Sequence, residues 1–290
     1  MLDRIGFIQG RLSPKINGLI QAFPWDHWES EFGAAMSLGL PMMEWTLDHD
    51  RLHHNPLMTE AGRRRIAALE QQFGVAVASL TGDCFMQAPF WKATAEEADD
   101  LARDFEAVCE AASASGIRYI VVPLVDNGRL QDMAQEDRLV AYLQVRAQRY
   151  ADLGVAILFE SDFAPAELAR FISRLDRDTF GINYDSGNSA ALGWSPAEEV
   201  AAYGDRIRNV HIKDRIFGGT TVPLGTGNVD FDAVFAALAS AGYAGNFILQ
   251  TARATDNRHD EVLASYRDMT LGWIARYLPA SHSYSQEIRE

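Results

Sequence analysis

Cysteine is nearly absent from this chain: Cys84 and Cys109 are the only two in 290 residues. Two thiols cannot frame a disulfide scaffold, and their expected places, a strand end and a helix, predict reduced side chains. Positive charge is also short, with 26 Lys and Arg against 40 Asp and Glu. The net charge of -14 repels phosphate backbones, so no nucleic-acid partner is expected. Long apolar runs are missing as well. Nothing approaches the roughly 18 residues of a membrane span, and the opening MLDRIGFIQG enters a strand without the basic and apolar regions of a signal peptide. No membrane partner is predicted, and a cytoplasmic location is expected. No G-x-G-x-x-G fingerprint follows the first strand-like run, which disfavours an open dinucleotide-binding sheet.

What the chain does have is a core-forming composition, 48% hydrophobic and 23% charged. Its strand-like runs are IGFIQG (5–10), PMMEWTLD (41–48), VAVASLTGD (75–83), YIVVPLVD (119–126), VAILFES (155–161), FGINYDSG (180–187), IRNVHIKD (207–214) and NFILQTAR (246–253). Most are apolar on both faces, as strands enclosed by helices and a filled interior must be. Amphipathic stretches separate them. TAEEADDLARDFEAVCEAASAS (94–115) precedes Gly116, and DFDAVFAALASAG (230–242) begins with Asp230 as a cap and ends at Gly242. Eight such pairs predict a single (β/α)8 TIM barrel over residues 1–279, followed by a polar tail at 280–290. A doubly wound open sheet is the alternative. A homodimer is compatible with helical outer faces, but no stripe in the sequence requires one.

Active sites of such barrels form at the C-terminal strand ends. There the sequence places Gln9, Arg11, Glu44, Asp83, Asp126, Glu160, Asp185, Asn188, His211, Lys213, Gln250 and Arg253. Long loops after the first, third and seventh strands carry Trp25, Phe90 and Trp91, which either close over a substrate or pack beneath their own loops. The fifth to eighth strands end in Glu160, Asp185, His211 and Gln250. Two carboxylates, an imidazole and an amide oxygen make a mixed O/N set suited to one divalent ion, with Mn²⁺ or Mg²⁺ expected ahead of Co²⁺ or Zn²⁺.

ILFES, YDSGNSAALGW, NVHIKD, PLGTGNVDF and AGYAGNFILQTAR, together with EFGAAMSLGLPMMEW and its Glu44, carry a family likeness. The chain resembles the xylose-isomerase-like barrel superfamily, within it the sugar-phosphate isomerase/epimerase branch that includes L-ribulose-5-phosphate 3-epimerase. The resemblance implies Glu160, Asp185 and His211 as metal ligands. It also implies a glutamate where Gln250 stands, one that binds metal and moves a proton.

The expected function is a divalent-metal-dependent isomerase or epimerase acting on a ketose, polyol or sugar phosphate through a metal-stabilised enediolate. Glu160 is the expected base, with Lys213 as a second catalytic group. Gln9, Arg11, Glu44, Asp83, Asn188, Arg215 and Arg253 are the expected substrate contacts, the two arginines with the glycine-bearing GGTT and GTG segments offering a phosphate site. An amide at 250 brings neither charge nor a transferable proton. That leaves two alternatives open, a lyase of the inosose-dehydratase type and a non-catalytic sugar-binding relative. A metal-dependent endonuclease on the same barrel would call for more metal ligands and a basic groove.

Overall fold

The runs of apolar residues become strands because both their faces find cover. In the computed structural model, which describes residues 2–278, every residue of β1 (Ile5–Ile8), β2 (Met42–Thr46) and β6 (Phe180–Asp185) is buried. With β3 (Ala76–Thr81), β4 (Tyr119–Leu124), β5 (Ala156–Ser161), β7 (Ile207–Ile212) and β10 (Asn246–Leu249) they close a parallel barrel. Its order is β1-β10-β7-β6-β5-β4-β3-β2. The two remaining strands, β8 (Asp214–Arg215) and β9 (Thr221–Val222), form a small antiparallel hairpin on the loop after β7. The chain therefore folds as one (β/α)8 barrel. The tail expected at 280–290 lies outside the described residues.

Helices cover the outside. The one at Ala95–Ala114 starts at a capping box, in which Thr94 and Glu97 satisfy one another's backbone amides, and ends before Gly116 at φ +73°. The helix at Phe231–Ser240 is capped by Asp230, which accepts from the Ala233 amide at 2.9 Å. Trp45, Phe105, Phe159, Phe180 and Phe235 are wholly buried in the main core. Each such side chain contributes on the order of 1.5–3 kcal/mol over its exposed state. No helix among the described residues is long and apolar enough to cross a membrane.

Inside the barrel, two-residue periodicity puts Met42 and Glu44 on one face. Ile8, Met42 and Ile248 form a separate apolar cluster, and Gly6 makes room for it, since a Cβ there would stand 2.3 Å from Met42 Cγ. Above this floor the interior turns polar. Register shifts between Met43 and Glu44 and between Ile182 and Asn183 mark local irregularities that re-aim the following side chains.

Candidate metal and substrate site

Asp185 and His211 are direct register partners on β6 and β7, and Glu160 sits one residue from the end of β5. Closure of the barrel brings one ligand atom from each of the three within 4.8 Å of the others. His211 is fully buried between two carboxylates. Its Nε2 lies 2.7 Å from Glu44 Oε1, and its Nδ1 lies 3.0 Å from Glu160 Oε2. The first contact is aligned as a hydrogen bond, whereas the second is off line, so Nδ1 has no hydrogen-bond partner. Burial opposes a charge on this imidazole, but Glu44 and Glu160 outweigh it and raise its pKa to about 10. A buried ring nitrogen facing a carboxylate oxygen needs a cation between them, a proton or a metal ion, and the O/N donor set fits a divalent ion.

A second layer fixes these groups. Ser79 Oγ donates to Glu44 Oε2 at 2.7 Å, and Asn209 Nδ2 donates to Glu44 Oε2 at 3.1 Å and to Asn183 Oδ1 at 2.9 Å. Asn183 and Asn188 donate to the two oxygens of Glu160 at 2.9 and 2.7 Å. Burial works against ionisation of Glu160, yet His211 and Lys213 hold its pKa below the usual glutamate value. Asp185 goes the other way, because burial outweighs the help of Lys213. Ser79, Asn183 and Asn209 were not singled out from the sequence. Each nonetheless lies two residues before a strand-end residue, Thr81, Asp185 or His211, and so on the same face.

Above the ligand group opens a cavity of about 680 Å³, walled by Gln21, Thr81, Asp83, Glu160, Asn188, Lys213, Arg215 and Gln250 among others. Lys213 Nζ bridges Gln250 Oε1 at 2.9 Å and Asp185 Oδ2 at 3.1 Å. Gln250 thus reaches the site, but its oxygen is held by an ammonium. Arg215 donates to Asn188 Oδ1 at 2.7 Å and twice to the Gly219 carbonyl.

Four residues named from the sequence as substrate contacts stand outside this wall. Gln9 accepts from the Thr46 amide at 3.1 Å, and Glu44 lies behind His211. Arg11 is tied to the Thr251 and Ile20 carbonyls, both at 2.9 Å, and Arg253 to that of Ser13. The GTG segment offers no free amides either: Gly225 and Gly227 both donate to Asp214 Oδ2 at 2.8 Å. Phe90 and Trp91 are buried, Phe90 against Phe105 and Tyr142 and Trp91 with its Nε1 donating to the Gly128 carbonyl at 3.0 Å, so they pack into neighbouring elements and do not line the cavity. Trp25 meets Phe23 edge to face and lies under the Arg51 guanidinium. The loops that do border the mouth contribute Ile20 and Gln21 from one side and Gly218, Thr220 and Thr221 from the other.

With this geometry in view, comparison with known proteins is specific. Residues 32–269 match the family model described as xylose isomerase-like TIM barrel. The chain belongs to that family. Among curated relatives, an inosose dehydratase from Lacticaseibacillus casei is 25% identical over 138 residues, which are 39% of this chain. The match spans 46% of that enzyme's own length. Two solved structures share the fold over nearly the whole chain. The IOLI protein with a bound zinc atom superposes with a TM-score of 0.74 at 17% identity, covering 95% of this chain and 99% of that one. D-allulose 3-epimerase from Methylomonas sp. gives 0.71 at 17%, covering 93% and 97%.

Proposed function

We propose that this member of the xylose isomerase-like family is a divalent-metal-dependent isomerase or epimerase acting on a ketose or related polyol. The observation that carries the reading is the convergence of Glu160, Asp185 and His211 to within 4.8 Å beneath a cavity of sugar size. These three side chains would hold the ion, and Gln250 joins them if Lys213 gives up its oxygen. Mn²⁺ or Mg²⁺ suits the oxygen-rich set, and the zinc of the IOLI protein is in keeping with a divalent ion here. Bound there, the ion supplies Lewis acidity toward the carbonyl and adjacent hydroxyl oxygens of a sugar.

Glu160 is the base in this reading. Two asparagine amides fix its carboxylate at the cavity wall, where it would meet the carbon beside a substrate carbonyl. Lys213 carries protons within reach of substrate oxygens. Asn188, Arg215 and Asp83 face the substrate hydroxyls. Because the GTG amides serve Asp214 and Arg215 serves Gly219, an unphosphorylated sugar fits better than its phosphate. Replacing Glu160 by Gln is expected to remove exchange of the substrate C–H proton with deuterated solvent, measured by NMR on a panel of ketoses. Undiminished exchange would overturn the reading.

One observation favours a second outcome of the same step. Gln250 cannot transfer a proton, and inversion at carbon needs a carrier on each face, whereas loss of water needs one base and one acid. The likeness to inosose dehydratases points the same way. Product analysis separates the outcomes: an intact deuterated sugar marks isomerisation, a dehydrated product the lyase. Calorimetric binding of sugars without any turnover would instead mark a binding protein.

A further inference from the structure

Asp126 at the mouth is exposed, and the more buried carboxylates around it have a nearby cation or a set of amide donors, with one departure. Asp162 pairs with Arg129, Asp185 with Lys213, and Glu160 with His211 and two asparagines. Asp83 has no arginine or lysine partner among the described residues. Its Oδ1 accepts from Thr81 Oγ1 at 3.2 Å, and the residue is only 7% exposed, yet it lines the same cavity as Glu160, Lys213 and Gln250.

Its place in the barrel matters as much as its isolation. Asp83 follows β3, and in the closed order β3 stands four strands from β7 by either route. It therefore stands across the barrel from His211 and two strands from Glu160, with which it lines one cavity. The groups turned toward it are mostly acidic: Glu44 on β2, Asp48 after it and Glu160 on β5, with Arg11 the cation that feels its charge. Asp126, Asp162, Arg129, Lys213 and Arg215 border the same space.

We propose that Asp83 is a further catalytic residue, a neutral carboxyl group that delivers a proton to a substrate oxygen from the wall opposite β7. The proposal rests on the reading of Glu160 as base. In a dehydration the balance is complete: Glu160 takes the proton beside the carbonyl, the C–H electron pair forms the new C=C bond, and the C–O bond breaks. The departing hydroxyl takes the Asp83 proton and leaves as water. In an isomerisation the same proton goes to the carbonyl oxygen as the C–H bond breaks and the enediol forms; Glu160 then delivers its proton to the former carbonyl carbon, and the neighbouring hydroxyl gives its proton back to Asp83 as the new C=O forms. Burial, joined by Asp48 and Glu160, raises the Asp83 pKa to about 7, which keeps the proton available at neutral pH and transferable.

The test uses Asp83→Asn, which preserves shape and the bond from Thr81 but has no acid proton, with Asp83→Glu as the conservative partner. Protein loaded with Mg²⁺ is assayed on inosose and on D-allulose, and the aspartate carboxyl carbons are titrated by ¹³C NMR. The expected result is a carboxyl resonance, missing in Asp83→Asn, that titrates near pH 7. Turnover is expected to fall about 100-fold or more with KM changed less than about threefold, and to recover in part in Asp83→Glu. An Asp83 resonance titrating near ~4, or turnover by Asp83→Asn within about threefold of the parent, overturns the proposal. If neither sugar reacts with the parent protein, the titration alone decides. Glu160→Gln is measured alongside. Its loss of C–H exchange together with an active Asp83→Asn removes the role of Asp83 alone, while exchange that survives in Glu160→Gln removes the base reading.

Discussion

Lys213 and Gln250 share a 2.9 Å hydrogen bond, and through it a neutral amide holds an ammonium against Asp185. Any cation entering the ligand group meets that positive charge at close range, where partial burial leaves it poorly screened. Lys213→Met is therefore expected to tighten divalent-ion binding roughly tenfold or more, read by isothermal titration calorimetry. The same change leaves Asp185 buried with the Asn188 amide but without its ammonium, so the metal-free variant should melt below the parent protein. Glu160, Asp185 and His211 were legible because each interrupts an apolar run at a strand end. Ser79, Asn183 and Asn209 were not, because a single polar residue inside a strand looks like tolerance until the register shows it facing a buried carboxylate. The engagement of Arg11 and Arg253 with backbone carbonyls was equally hidden: a sequence shows a guanidinium, not where its donors are already in use.

The short helix at Ser30–Ser37 is tied to the first strand's loop through one side chain. Glu31 is buried and accepts from the Gly10 amide at 2.9 Å and the Leu12 amide at 2.8 Å. Burial dominates these bonds and raises its pKa to about 7. A carboxyl that holds its proton more tightly folded than unfolded favours the folded state below about 4.5 and loses that contribution as pH rises to about 7. Thermal melts between pH 5 and 7.5 should thus show a falling stability that is shallower in Glu31→Gln, a difference on the order of 2–3 kcal/mol. The long helices and all eight barrel strands were readable from periodicity and caps. The hairpin of β8 and β9 was not, since two-residue strands carry no period. The sequence left the place of Phe90 and Trp91 open, because buried packing and a closing lid draw on the same residue types.

At the scale of the whole barrel, eight βα repeats announced closure, and closure is what turns four separate strand ends into one site. A ligand held by β5, β6 and β7 together binds the folded chain and has no equivalent in the unfolded one. Saturation with Mn²⁺ or Mg²⁺ at about 100 times its Kd is expected to add about 2.7 kcal/mol, and so to raise the Tm by several degrees. Chelation should reverse the shift, and Asp185→Ala should abolish it, as followed by differential scanning calorimetry. The hairpin over the mouth is joined to that site. Asp214 at its root grips the amides of Gly225, Gly227 and Val229, while Ile216 and Phe217 near its tip are exposed. The tip is moored as well, the Gly218 amide to the Ala191 carbonyl at 2.9 Å and the Phe217 amide to Asn228 Oδ1 at 2.8 Å, and Arg215 reaches Asn188, so trimming this flap would slacken the grip on Glu160 from above.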